Sequence, residues 1–589
     1  MKTIERFKDL KIGRRRSRCE PKAWQSQREI PRFTRNGVCN LLIVTALCSL
    51  LPALLQGQVD TAWVRRYNGT GNDDDRAYAI AVDGSGNVYV TGGSYGSGTS
   101  EDYATIKYNS SGIQQWSSRY NGPGNDGDGA YAIALDVAGN VYVTGWSSGF
   151  GTFLDYATIK YNSTGIQQWV TRYNGPGNSY DGAYAIVVDG SGNIYVTGYS
   201  YGPGTDFDYA TIKYNSVGVQ QWVSRYNGPG NAQDLAFSIA VDDQGNAYVT
   251  GWSHGSDTVY DYATIKYNSA GIQQWVARYD YSEEEERANS ITIDGQGNVY
   301  VTGSSYNLNT YFDYATIKYN AVGETLWVRR YNGSGNYWDE ASSVAIDGQG
   351  NVYVSGYSDG LGTSEDYATI KYNSAGVQQW VARYNGPGNY EDWAHAMALD
   401  GSGNVYVTGY STGSGTEYDY ATIKYNSNGV EQWVQRYNGP GNDWDWAYAI
   451  ALDGSGNVYI TGVSYGSGTS IDYATIKYVQ TPGIEEDEIA TLPLAMTKSV
   501  EVYPNPAKTY FTIRLPQLWS ATTMSLQAKS PILHSKIRMY NVTGKVVKEI
   551  LRSAQNDNNV RISLDGIKNG VYFIQVGNEM VKEKLVVTR

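Results

Sequence analysis

Cysteine is all but missing from this chain of 589 residues: Cys19, Cys39 and Cys48 stand near the N-terminus and none follows. A disulfide scaffold, a thiol nucleophile and a cysteine-held zinc are thereby excluded for everything beyond residue 48. Histidine is as scarce. His254, His395 and His534 lie far apart at unrelated positions, and no HExxH, GxSxG or phosphate-loop motif occurs. Basic residues are outnumbered, with 46 Lys and Arg against 58 Asp and Glu, for a net charge of −12. That balance argues against nucleic acid and anionic membrane surfaces as partners. Phenylalanine is also rare, with 9 against 54 tyrosines.

What is present is strand and turn material. Tyr, Val, Ile, Thr and Trp favour strands, and 68 glycines with many Asn mark turns, so the chain reads as all-β. Hydrophobic content of 41% suffices for packed cores, and the length exceeds one ordinary domain.

The first 57 residues differ from the rest. Residues 1–37 hold twelve Lys or Arg against four acids, and residues 38–55 form an uncharged apolar run broken by Pro52. A basic stretch followed by a short apolar core describes a secretory signal peptide with a long n-region, cleaved near Gly57. The rival reading is a single membrane anchor. Removal of the leader, which carries eight more positive than negative charges, takes the net charge from −12 to about −20 and leaves no cysteine.

Residues 58–478 are one unit written eight times. DYATIKY begins at Asp102 and returns at Asp155, Asp208, Asp261, Asp313, Asp366, Asp419 and Asp472, spaced by 53 residues and once by 52. Trp63, Trp116, Trp169, Trp222, Trp275, Trp327, Trp380 and Trp433 mark the same eight units. Each unit holds four strand-like runs, as in AYAIALD, NVYVTG, DYATIKY and QWVTRY. A period near 50 with four strands predicts an eight-bladed β-propeller. Short turns join AIAVD to NVYV and DYATIKY to QW, so the longer stretch after RY is the crossing between blades. The order from the axis outward is then AIAVD, NVYVTG, DYATIKY, QWVxRY. The first QW-type strand, residues 62–67, has no blade of its own and should complete the last one, closing the ring. Ala77, Ala79 and Ala81 alternate along the inner strand, which predicts that only small side chains face the crowded axis.

AYAIALDVAGNVYVTGWS followed by DYATIKYNSTG resembles the SBBP-type (seven-bladed β-propeller) repeat family of secreted and surface bacterial proteins. The likeness rests on D-x-x-G-N-x-Y-V-T-G. It implies a propeller and no defined reaction, and this chain departs from the family in carrying eight units. Kelch repeats are a weaker match, since their double glycine is missing.

An acidic linker, residues 479–498, precedes a small β-sandwich region, residues 499–589. YPNPA, MYNVTGKVV, LDGIKNGVYFIQV and the terminal KEKLVVTR resemble the type A C-terminal sorting domain of the type IX secretion system. The resemblance implies a Bacteroidetes-type cell, passage across the outer membrane by the type IX machinery, removal of the domain, and often attachment to surface lipopolysaccharide. Residues 518–535 read as an insertion, and Asn541 stands where the family usually has Asp.

Catalysis has no visible constellation. Asp75, Asp128, Asp181, Asp234, Glu286, Asp339, Asp392 and Asp445 recur before each inner strand, and recurrence predicts a structural role in capping loop N–H groups. Asp73–Asp75 and Asn125–Gly129 carry a faint likeness to calcium loops, though a final bidentate acid is missing. No other cofactor is expected. The residues 283–286 acid run reads as a solvated loop tip. Crossover loops and the loops between second and third strands emerge on one face. Six tryptophans that repetition does not require, Trp146, Trp252, Trp338, Trp393, Trp444 and Trp446, fall in or beside that face. Exposed aromatics on a rigid frame suit a glycan or a surface protein. The expectation is a monomeric, non-catalytic binding or adhesion propeller; the alternative is a polysaccharide-active hydrolase or lyase.

Overall fold

The computed structural model describes residues 59–480, apart from 257–258 and 282–283, and, in the tail, residues 568–576 and the strands named below. The leader lies outside the described residues. Eight four-stranded antiparallel sheets follow one another along the chain. Blade 1 comprises an inner strand Asp75–Val82, a second strand Val88–Tyr95, a third strand Glu101–Tyr108 and an outer strand Gln114–Tyr120. Blades 2 to 7 repeat this order.

Blade 8 is closed by the N-terminus. The strand Val59–Tyr67 pairs antiparallel with the third strand of blade 8, Ile471–Gln480, in register Trp63↔Lys477 and Tyr67↔Tyr473. The closing strand supplies what an outer strand supplies elsewhere. Arg66 binds Asp472 and Ser464, as Arg119 of blade 1 binds Asp102 at 2.9 Å and Ser94. The third strand runs through Gln480, two residues beyond the predicted end of the propeller, because Val479 and Gln480 pair with Asp60 and Val59.

Each core lies between two blades. Tyr248 and Tyr262 of blade 4, for example, pack with Ala288, Ile291, Val299, Val301, Ala315 and Ile317 of blade 5. The heptapeptide DYATIKY is therefore an interface read from both sides. In blade 1, Ala104, Ile106 and Tyr108 meet Tyr459 and Tyr473 of blade 8. Tyr103 and Lys107 reach forward instead: the Tyr103 hydroxyl donates to the carbonyl of Ala157 at 3.0 Å, and Lys107 Nζ sits 4.9 Å over Tyr89 and donates to Ser163. The hydroxyl latch recurs at every blade junction and closes the circle, with Tyr473 donating to Ala104 at 3.2 Å. The outer-strand indole adds a second link, Trp116 Nε1 to Ser163 O at 3.1 Å. Gly165, at φ +83°, lies against that ring, leaving no space for a Cβ.

The axis differs from the expectation. A bulge between Ala77 and Ala79 leaves Tyr78 without a partner in the second strand, and the same shift occurs in all eight inner strands. Alternation is thus broken, and Ala77, Ala79 and Ala81 do not share one face. Aromatic rings meet where small residues were expected. Tyr78 lies 5.2 Å from Tyr131 and 5.6 Å from Tyr448, while Tyr184 lies 5.5 Å from Tyr131 and 5.1 Å from Phe237. The glycine of VYVTG makes room for the bulge, since a Cβ on Gly92 would run into the carbonyl of Arg76.

The tail strands form two sheets. Tyr510–Arg514 lies between Glu501–Tyr503 and Asn559–Ser563; Lys536–Asn541 lies between Val546–Leu551 and Gly570–Val576, which also pairs with Glu579–Met580 and Leu585–Val587. The predicted insertion at residues 518–535 and most of the acidic linker lie outside the described residues.

Candidate functional site

The bulged positions form an incomplete aromatic collar. Five rings line one side, and blades 5, 6 and 7 place Asn289, Ser342 and His395 at the equivalent positions. Asn289 Nδ2 donates to the carbonyl of Ala341 and to Glu340, and Ser342 Oγ donates to Ala394. The His395 ring lies 5.3 Å from Tyr448, its Nε2 has no hydrogen-bond partner, and burial holds its pKa down to about 4, so it is neutral at pH 7.

Above the collar, the residues paired between inner and second strands differ from blade to blade. Gly129 faces Trp146, Leu235 faces Trp252, Glu340 faces Tyr357, Trp393 faces Tyr410 and Trp446 faces Val463.

The six singled-out tryptophans all occur at this loop-rich end, in two environments. Trp338 and Trp444 stand in crossover loops and are 37% and 43% exposed. The other four lie within strands at that end. Trp393 is stacked 4.2 Å from Tyr357, nearly parallel, with Tyr410 at 5.7 Å. Trp446 stacks on Trp444 at 5.7 Å, Trp252 lies 4.4 Å from Tyr260, and Trp146 fills the space beside Gly127 and Gly129.

The recurrent acids cap the crossover loops. Gly69, Gly122 and Gly175 each donate their N–H to Asp75, Asp128 and Asp181 at 2.6 Å, and the second oxygen of Asp128 takes the N–H of Ser148 at 3.0 Å. Burial pushes these three carboxyls up to about 6, against the lowering pull of those bonds. The calcium-like segments spend their oxygens in the same way. Asp73 accepts from the N–H of Asp74, Asp126 from that of Gly127, and Asp74 is ion-paired with Arg76 at 2.8 Å. Among the described residues one set of three carboxylates could gather round a cation: Asp261 of blade 4, Asp280 of the crossover and Glu286 of blade 5, where that crossover is a residue short. Asp261 is already ion-paired with Arg278, and all three have partners.

Several residues of this face escaped the sequence reading. Glu101 and Glu365 occupy a third-strand position held elsewhere by Leu154, Phe207, Tyr260, Phe312, Tyr418 and Ile471. Glu101 folds over Gly93, where a Cβ would collide with its carboxylate, and burial pushes it up to about 7, opposed by Arg76. Glu391 accepts the Tyr418 hydroxyl at 2.7 Å. Aligning the eight units column by column would have exposed these exchanges.

A β-propeller repeat family, SBBP, matches residues 62–98, 168–207, 221–257, 287–309, 326–362, 379–415 and 432–468, which covers seven of the eight units. The secretion system C-terminal sorting domain family matches residues 501–588. No curated protein matches the chain. Solved structures it is similar to include a eukaryotic initiation factor (8% identity, 61% of this chain and 88% of that one, TM-score 0.33). A protein of unknown function from Dyadobacter fermentans aligns at 12% identity over 50% of this chain and 94% of that one, with TM-score 0.32. Prolyl oligopeptidase B from Galerina marginata aligns at 9% identity over 73% and 58%, with TM-score 0.36. The chain is an SBBP-type β-propeller repeat protein that ends in a type IX secretion system sorting domain.

Proposed function

We propose that this protein is a non-catalytic binding propeller that holds a glycan or a surface protein on its loop-rich face. The sorting domain makes it an exported protein, at the cell surface or released, and a client of the type IX secretion machinery. Passage across the outer membrane follows from that reading. One observation carries the binding role: departures from eightfold repetition gather on the loop-rich face, where Trp338 and Trp444 are exposed without closing any core. Each ring rests on a neighbour, Trp338 on Phe312 at 5.4 Å and Trp444 on Trp446 at 5.7 Å, and leaves its remaining surface open to a ligand. The test is a glycan and surface-protein array probed with the full chain and with Trp338→Ala/Trp444→Ala. Binding should fall while the melting temperature holds. Equal binding by both forms would remove the reading. Trp393 is unsuited to this test, because it lies in a strand against both Tyr357 and Tyr410 and its loss is a packing defect.

A hydrolase or lyase reading draws on a different observation. Glu101, a carboxyl titrating at about 7 near Arg76 and the collar, has the character of a general acid. Its neighbour Asp74 is bound by Arg76 and Ser470, which leaves the second carboxylate of such a mechanism without an obvious holder. Polysaccharide cleavage abolished by Glu101→Gln would establish the enzyme.

A further inference from the structure

The loop ends of blades 7 and 8 combine two features that select one kind of ligand. The first is a corner of aromatic rings. The exposed face of Trp444 is backed by Trp446, which lies parallel to it within 8°. Tyr418 stands 6.4 Å away at 57° and Tyr465 6.5 Å away at 90°. The second is charge of one sign. Glu391, Glu417 and Asp443 lie in the loops of this sector, and residues 385–391, 413–417, 438–444 and 466–470 contain no Lys or Arg. The outer-strand arginines of blades 6, 7 and 8, Arg383, Arg436 and Arg66, are each committed to a strand carboxylate, Asp366, Asp419 and Asp472, and Arg76 of the adjoining blade 1 is paired with Asp74. Glu391 is held toward the corner by the Tyr418 hydroxyl, and Asp443 accepts the N–H of Trp444 itself.

Ring faces are negative and attract a cation within about 6 Å of the centroid. Carboxylates in the same loops add Coulomb attraction for a cation. We propose that this corner is a cation cage for an ammonium group, carried on a lysine side chain of a basic protein segment. The proposal rests on the loop-face reading above and gives it a ligand class. A lysine is favoured over an amino sugar by shape. A stacked pyranose needs an open plane, whereas Tyr418 and Tyr465 rise steeply beside Trp444, and a slender methylene stem with a charged tip fits between such walls.

The full chain is titrated with octalysine, with a glucosamine oligomer and with an N-acetylglucosamine oligomer, following tryptophan fluorescence and calorimetry. Octalysine should bind, with affinity falling as salt rises. Trp444→Ala, which leaves the charge unchanged, should weaken it roughly tenfold, Trp444→Phe less, and Glu391→Gln/Asp443→Asn at least as much as Trp444→Ala. Equal octalysine affinity for the wild type and Trp444→Ala would mean diffuse attraction to an acidic face and overturn the cage. Glucosamine oligomers bound through Trp444 without octalysine binding would overturn the lysine source. A neutral oligomer bound through Trp444 would overturn the ammonium chemistry and leave the loop-face reading standing. Should Trp338 and Trp444 matter to no ligand at all, both fall. Melting curves of the alanine and phenylalanine forms separate lost binding from lost fold.

Discussion

A phenolic oxygen explains why the first aromatic of DYATIKY is tyrosine and not phenylalanine. At Tyr103 and its seven equivalents the ring fills the gap between blades and the hydroxyl ties it to the next blade's third strand. Each such buried bond is worth about 1 kcal/mol, and the eight are far enough apart to act nearly independently. The aspartates give the residue scale its prediction. Asp75, Asp128, Asp181, Asp234, Asp339, Asp392 and Asp445 are all pushed by burial from 3.8 up to about 6. Their folded form prefers the proton, so the stability they contribute is complete below about 3.8 and is lost as pH rises through 6. A second class behaves oppositely. Burial would raise Asp83, Asp136 and Asp189, but hydrogen bonds from the Asn side chain and the turn N–H groups outweigh it and hold them below 3.8. Their contribution is present above 3.8 and is lost as pH falls through the lowered value. The melting temperature should therefore be highest near pH 4, decline as pH rises to about 6 and change little from there to pH 7.5. A calorimetric series in which pH 7.5 is more stable than pH 5 would refute the assignment.

Among the elements, the closing strand is unlike the other outer strands because the chain reaches it first and pairs it last. Val59–Tyr67 covers the free edge of Ile471–Gln480, and Trp63 is buried in the core between blades 8 and 1. Its pairing joins residues some 400 positions apart in sequence. Trp63→Ala should cost about 3–5 kcal/mol. Deleting Val59–Tyr67 should lower the melting temperature on the order of 5–10 °C and bare a strand edge prone to self-association. A truncated chain melting at the full-length temperature would mean that the ring closes in another way. The inner strand shows the opposite side of sequence reasoning. Its alternation of Ala and larger residues predicted a face, and the bulge at Tyr78 undid it, because an added residue in one strand shifts every side chain beyond it.

The whole molecule separates its two ends. At the tight-turn end the Asp83-type carboxylates are used up by the N–H groups of their own turns, and the Lys107-type ammoniums by a turn of the next blade. The loop-rich end keeps aromatics and acids without free bases in blades 7 and 8. The sorting domain sets the last prediction: it acts as an address, so mass spectrometry of the protein on cells should find peptides from the propeller and none from residues 501–588. An intact C-terminus on the surface form would argue against this processing.

Repetition alone determined the blade count, the strand order and the closing strand, since eight equivalent places in a ring require the same side chains and a leftover strand has one vacant edge to fill. The sorting domain was legible for a related reason: its recognition depends on short linear runs such as YPNP and KEKLVVTR. Tertiary structure decided what repetition leaves open. The axial collar depends on a bulge that has no signature in composition. The packing of Trp393 and the exposure of Trp444 depend on which neighbour column carries Tyr357 or an open loop. A repeated residue is fixed by geometry common to all blades, whereas an unrepeated one takes its role from whichever side chains happen to stand beside it, and those are brought together only when the ring closes.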